Sequence, residues 1–283
     1  MAAGALTTLS EHRCFGGTMG FYGHDSEATQ GTMRFAVFRP EGAGPFPVLT
    51  WLAGLTCTEE TFMIKAGAQR LAAERGLMLV APDTSPRGHD LPGEAEAWDF
   101  GVGAGFYLDA TQPPWSAHWR MESYVVDELT ALVAAHFPAE PARQGLFGHS
   151  MGGHGALTLV LRHPERWRSV SALAPISAPA RCPWGQKAFT GYLGADRAAW
   201  AEHDACELLR SRGPLPFPLL VDQGLADKFL DEQLKPELLE GAAREVGQEL
   251  RLRRHEGYDH SYWFIQSFMA DHVEHHARAL ANG

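Results

Sequence analysis

The sequence predicts an α/β fold with a mainly parallel central sheet and helices on both faces. Three observations carry this expectation. Short runs such as "FPVLTWLAG" (46–54) and "GLMLVAPD" (76–83) are apolar at successive positions, which suits strands buried on both sides. Segments with helical length and spacing separate such runs, and that alternation builds parallel sheets. One strand-to-helix junction carries the pentapeptide Gly148-His149-Ser150-Met151-Gly152.

The elements follow in order. Met33–Pro40 alternates and stops at a proline, and the first strand or two are expected to run antiparallel to the rest. Phe46–Gly54 is a nearly continuous apolar strand ending in glycine. Glu60–Gly76 fits one or two helices, and Gly76–Asp83 is the next strand. Met121–Phe137 has apolar residues at helical spacing. Gln144–His149 reads as a strand leading into a helix over Gly152–Pro164, which opens on glycine and ends before proline. Ser169–Pro175 and Phe217–Gly224 are further strands. Leu230–Gly247 reads as a helix with an internal Pro236. Glu249–Gly257 is more polar and alternating, as at a sheet edge. Ser261–Leu280 forms a closing helix. Glycine and proline are dispersed with no low-complexity linker and no internal repeat, so residues 1–283 are expected to form a single domain.

Composition excludes some functions. A formal net charge of -10 argues against a nucleic-acid partner. The opening "MAAGALTTLSEHRCFGG" lacks a basic, then apolar, signal pattern. No window approaches the ~20 apolar residues of a membrane span. The four cysteines, Cys14, Cys57, Cys182 and Cys206, show no CxxC pairing. They read as free thiols in a reducing compartment, with the cytoplasm as the expected location.

The pentapeptide around Ser150 matches a nucleophile elbow, a strained turn that lifts the serine oxygen above the sheet. Side chains at the flanking glycines would collide within so tight a turn. An elbow needs an acid and then a base downstream, in that order. "LLVDQGLADKFL" offers Asp222, Asp227 and Asp231. Asp227 follows the Gly224 turn, where a loop can aim it, and is chosen with Asp222 as runner-up. "HEGYDHSYWF" offers His255, still at the strand end, and His260, past Gly257 and next to Ser261, a candidate cap for the last helix. His260 is chosen. Asp227 would fix its tautomer and His260 would take the proton from Ser150. An oxyanion hole needs two aimed N–H groups. Met151 supplies one by position, and Leu55, in the loop "WLAGLTCTEE", supplies the other. Cys57 lies two residues beyond Leu55, so its thiol is expected to edge the substrate pocket without acting as nucleophile.

The chain resembles the S-formylglutathione hydrolase family, the esterase D group of the α/β-hydrolase superfamily, over nearly its full length. The resemblance rests on "MRFAVFRP", "WLAGLTCTEE", "KAGAQRLAAERG", "APDTSPRG", "WDFGVGAGFYLDAT", "MESYVVDEL", "GHSMGGHGAL", "CPWGQKAFTGYLG", "DQGLADKFL" and "GYDHSYWFIQSFMADHVEHHA". It implies an α/β-hydrolase fold and a cytosolic serine thioesterase of formaldehyde detoxification, with a glutathione thioester as substrate. It also implies a homodimer, and no metal or organic cofactor. The implied triad is Ser150, Asp227 and His260, with Leu55 and Met151 as oxyanion donors. One departure stands out: Ser177 and Ala178 occupy positions where the family pattern has Cys and Asn, which bears on selectivity.

Other features have plainer readings. "GVGAG" (101–105) has no strand before it and no clear helix after it, so it reads as a backbone-close loop rather than a dinucleotide site. Trp98, Phe100, Phe106 and Tyr107 line the pocket or pack in the core. His272, His275 and His276 are expected on a solvated helix face rather than around a metal. Lys65 and Lys187 could meet glutathione carboxylates, with ordinary surface positions as the default. A carboxylesterase with the same triad is the nearest alternative. A catalytically silent binding module is the alternative from another class.

Overall fold

In the computed structural model, residues 4–281 are described. Nine strands form one sheet: β1 (Thr7–Cys14), β2 (Gly17–Ser26), β3 (Gly31–Arg39), β4 (Phe46–Leu52), β5 (Met78–Pro82), β6 (Ala139–His149), β7 (Ser169–Leu173), β8 (Leu219–Gly224) and β9 (Leu250–His255). Their spatial order is β1-β2-β3-β5-β4-β6-β7-β8-β9. The pairs β1–β2, β2–β3 and β3–β5 are antiparallel, and the pairs β5–β4, β4–β6, β6–β7, β7–β8 and β8–β9 are parallel. Every residue of β5, β7 and β8 is buried, whereas β1 and β9 are largely exposed or half-buried. The apolar runs therefore occupy the centre, and the polar alternating run closes one edge.

The helices are α1 (Glu59–Lys65), α2 (Ala68–Arg75), α3 (Met121–Ser123), α4 (Thr130–His136), α5 (Met151–Arg162), α6 (Pro183–Leu193), α7 (Arg197–Ala201), α8 (Ala205–Arg212), α9 (Pro236–Val246) and α10 (Tyr262–Ala281). α3 runs through a π-turn over Tyr124–Leu129 into α4. The register separates the two layers. Phe147, Ser169 and Ser171 meet His276 of α10 on one face. Gly148, one residue on from Phe147, faces the start of α5 on the other. Among the described residues no helix is long and apolar enough to cross a membrane.

Several elements depart from expectation. β1 and β2 were not anticipated, because an exposed polar edge strand and a glycine-bearing partner give no apolar run. α6, α7 and α8 also lacked a signal. α6 starts on Pro183 and holds Gly185 and Gly191, which read as turn residues although proline is well placed at a first helical position. The segment expected as one helix over 230–247 is a π-turn over Leu230–Leu234, a left-handed Lys235 with φ 47°, and then α9. Pro236 has no N–H to continue the earlier turn, so it begins a new helix.

The expected solvated face of α10 is corrected. His272 and His276 are fully buried. His276 hydrogen-bonds Ser169 at 2.7 Å and Ser171 at 2.9 Å, and His272 hydrogen-bonds Ser171 at 2.7 Å and Asp222 at 3.2 Å. Buried polar groups need such partners, and these histidines tie α10 to the sheet. Among the described residues no cluster of three or more ligating side chains could hold a metal ion.

Buried histidines, on α10 and elsewhere, make stability acid-sensitive. Burial holds His154 down at about 3 and His203 at about 4, and it holds His276 well below the ordinary value. In the unfolded chain each titrates near ~6.5, so the unfolded state binds more protons below that pH. Stability should therefore fall as pH drops through roughly 6.5, by about 1.4 kcal/mol per pH unit for each such histidine. Guanidinium unfolding at pH 7.5 and 5.5 checks this. A clear drop in midpoint is expected, and equal midpoints would contradict it.

Candidate active site

The turn between β6 and α5 forces Ser150 to φ 57° and ψ −118°, a left-handed backbone rarely adopted by non-glycine residues. Packing holds it there. Ser150 N–H donates to Leu173 O at 3.0 Å, and Ser150 O accepts from Ile176 at 3.2 Å and His154 at 3.0 Å. The flanking glycines are sterically required. A Cβ on Gly148 would lie 2.3 Å from Gly152 O, and one on Gly152 would lie 1.9 Å from Leu52 O. The elbow thus follows from the close passage of β4, β6 and α5.

Asp227 lies in the loop after β8 and His260 in the loop after β9. A Cβ on Gly224 would meet Tyr258 O at 2.4 Å, so the glycine lets the two loops converge. Ala226 N–H then donates to Tyr258 O at 2.9 Å. The result is a 2.5 Å hydrogen bond between His260 Nδ1 and Asp227 Oδ2. The other oxygen of Asp227 accepts from Phe229 N–H at 2.9 Å, which fixes the carboxylate plane. Ser261 Oγ accepts from Trp263 N–H at 3.3 Å, in keeping with its expected cap.

Asp222, the runner-up, is committed elsewhere. It is fully buried and takes both Arg253 Nε and Nη2 at 2.5 Å, with His272 at 3.2 Å. Burial alone would raise its carboxyl, but hydrogen bonds from His272 and Arg253 hold it below the usual carboxylate range. His255 stacks on Phe268 with ring centroids 3.7 Å apart. Asp231 is exposed in the π-turn.

A cavity of about 210 Å³ opens over Ser150 at the carboxyl ends of the strands. Gly54, Leu55, Cys57, Ser150 and His260 all line it, together with a wall of Trp98, Trp184, Phe229 and Tyr262. Among the described residues, the Leu55 and Met151 N–H groups donate to no protein acceptor, and Met151 is the first residue of α5. The first turn of a helix leaves such donors free. The "GVGAG" loop supports the Leu55 side: Gly103 O accepts from Thr56 N–H at 2.9 Å. Its expected backbone-close role holds. Of the four aromatics singled out around it, Trp98 lines the cavity, while Phe106 and Tyr107 are core residues and Phe100 stacks on Tyr192. Tyr107 still serves the site from below, donating to Ala53 O at 2.9 Å.

His149 was not anticipated as a site residue, because the second position of the pentapeptide carries no residue preference. It is nearly buried, and its ring lies 4.3 Å from that of His260. Burial, and then the neighbouring His260, hold it well below an ordinary imidazole, so it packs as a neutral ring. Ser177 and Ala178 are buried outside the cavity lining, and Ser177 bonds Leu234 and Cys206 through its backbone. Lys187 pairs with Asp99.

Cys57 lines the cavity as expected, and burial raises its thiol. It should react slowly with N-ethylmaleimide, since the thiolate is the reactive form. Inactivation with protection by a glutathione conjugate is expected, and Cys57→Ala should remain active and resist the reagent. An active Cys57→Ala still inactivated at the original rate would show that another thiol is responsible.

The Esterase family model matches residues 26–275. An S-formylglutathione hydrolase from Paracoccus denitrificans is 53% identical over 278 residues, covering 98% of this chain and 99% of that relative. One from Mus musculus is 50% identical over 279 residues, covering 98% and 99%. The solved structure of an S-formylglutathione hydrolase from Agrobacterium tumefaciens superposes with a TM-score of 0.95 at 50% identity, covering 97% of this chain and 99% of that one.

Proposed function

This chain belongs to the S-formylglutathione hydrolase family of esterases, and from that premise we propose how its residues divide the work. It is a hydrolase that converts S-formylglutathione and water to glutathione and formate. In the proposed course, Ser150 Oγ attacks the formyl carbonyl and His260 takes its proton. The tetrahedral oxyanion is held by the N–H groups of Leu55 and Met151. His260, now protonated, gives its proton to the departing sulfur, leaving glutathione and a formyl ester on Ser150. A water molecule then loses a proton to His260 and attacks that ester, and formate leaves as the proton returns to Ser150. Asp227 holds the imidazole in the tautomer that presents Nε2 to the serine.

The observation that carries this reading is the 2.5 Å hydrogen bond between His260 and Asp227, with both His260 and Ser150 lining one cavity. The cavity's small volume suits a formyl group and its thioester. A thiolate leaves readily, so less acid assistance is required than for an amide. The same acyl chemistry gives a side activity as a carboxylesterase. The comparison of kcat/KM for S-formylglutathione with that for p-nitrophenyl acetate tests the substrate assignment. A strong preference for the thioester is expected, and equal or reversed values would favour a general carboxylesterase. A homodimer and a cytoplasmic setting belong to the same proposal. Family membership supports the first, and four free cysteines support the second.

A further inference from the structure

Only four of the chain's 24 Lys and Arg residues are lysines: Lys65, Lys187, Lys228 and Lys235. Their distribution is uneven. Lys187 pairs with Asp99, beside the cavity residue Trp98. Lys65 Nζ lies 5.7 Å from the ring of Tyr262, and Lys228 Nζ lies 4.8 Å from the ring of Phe229. Tyr262 and Phe229 both line the catalytic cavity. Among the described residues neither Lys65 nor Lys228 forms an ion pair, whereas Arg75, Arg162, Arg210 and Arg253 are each paired with carboxylates. Both lysines are exposed.

Their positions bracket the catalytic imidazole. Ring contacts run from Phe229 to His260 at 5.1 Å, from His260 to His149 at 4.3 Å, and from His149 to Tyr262 at 6.4 Å. Lys228 stands beside the first ring of this row and Lys65 beside the last. Lys65 is also within Coulombic reach of the cavity wall. Burial raises the Cys57 thiol, and the Lys65 charge is among the influences that draw it back down.

The substrate supplies the complement. In a glutathione thioester the sulfur is central, and each arm of the peptide ends in a carboxylate. A cavity of about 210 Å³ lies below the ~300–1,000 Å³ range of sites that enclose whole drug-sized ligands. With the formyl carbon at Ser150, the peptide arms must cross the rim. A chain of net charge -10 repels an anion at long range, so local cations are needed to seat one. Resting on the S-formylglutathione reading, we propose that Lys65 and Lys228 bind the two carboxylates of the glutathione moiety from opposite sides of the cavity mouth. Lysine suits this task, because a flexible stem lets a point charge follow two mobile arms.

The test uses Lys65→Gln, Lys228→Gln and the double variant, with Lys235→Gln as control. Lys235 hydrogen-bonds Asp231 O in its own turn, away from the cavity lining. A rim ion pair is worth up to about fivefold in affinity. Each single change should therefore raise KM for S-formylglutathione by roughly threefold to fivefold, and the double change by roughly tenfold or more. The kcat should stay within about twofold, as expected for loss of uniform binding. Hydrolysis of p-nitrophenyl acetate, which has no carboxylate, should not follow the KM change. Added salt should raise KM in the parent protein and lose that effect in the double variant. An unchanged KM and salt response in the double variant would overturn the proposal. So would a parallel loss with both substrates, which would indicate damage to the site itself. If the parent protein shows no preference for S-formylglutathione, the substrate reading fails first, and that result is separable from failure of the lysines alone.

Discussion

Replacing Ser150 with alanine is expected to lower kcat by roughly 10⁵- to 10⁶-fold, the scale seen when a serine nucleophile is removed from an intact triad. The fold should persist. Alanine faces the same backbone strain at φ 57° as serine, and the Ser150 side chain makes no hydrogen bond among the described residues. The bonds that hold the elbow, from Ser150 N–H to Leu173 and from Ile176 and His154 to Ser150 O, are all backbone. Thermal unfolding should thus be nearly unchanged while turnover disappears. A loss of both would mean that the hydroxyl is structural, and the residual rate could no longer be read as chemistry.

The second large effect separates two aspartates. Asp227→Asn should cost about 10⁴-fold in kcat, because an amide nitrogen facing His260 Nδ1 favours the wrong tautomer. Asp222→Asn should cost far less activity and far more stability. It removes the buried charge that faces Arg253 and His272, although Arg253 keeps Asp271, and losing a charged hydrogen bond of this kind costs about 1.5–3 kcal/mol. Kinetics and unfolding of the two variants together decide the assignment. If Asp222→Asn cripples turnover and Asp227→Asn is mild, the acid has been assigned wrongly.

The same two aspartates mark what the sequence makes legible. Asp222 lies within β8 and Asp227 follows it, both downstream of the elbow, so chain order alone favours neither. The Gly224 turn pointed to Asp227, and the structure gives the physical reason: a side chain at Gly224 would block the approach of the 258 loop. The elbow was readable because sterics leave so few residues tolerable at positions 148 and 152. The buried strands were readable because parallel strands bury both faces. Features without such constraints were not. β1 is an exposed edge, and α6 opens with a proline and carries two glycines. His272 and His276 of α10 were misread as solvated, since polarity in the sequence does not reveal hydrogen bonds to Ser169, Ser171 and Asp222. Phe229 and Trp184 come from distant parts of the chain yet pack as tilted rings with centroids 4.7 Å apart in the cavity wall, a pairing that only the fold creates.

The central claim is that Ser150, activated by His260, is the group that carries the formyl unit. A fluorophosphonate reacts only with an activated serine of this kind. The protein should take up one phosphonyl group, located on the peptide bearing Ser150, and S-formylglutathione hydrolysis should fall in proportion to labelling. Asp227→Asn should label much more slowly. An adduct on another residue, or full labelling of Ser150 with hydrolysis intact, would contradict the account.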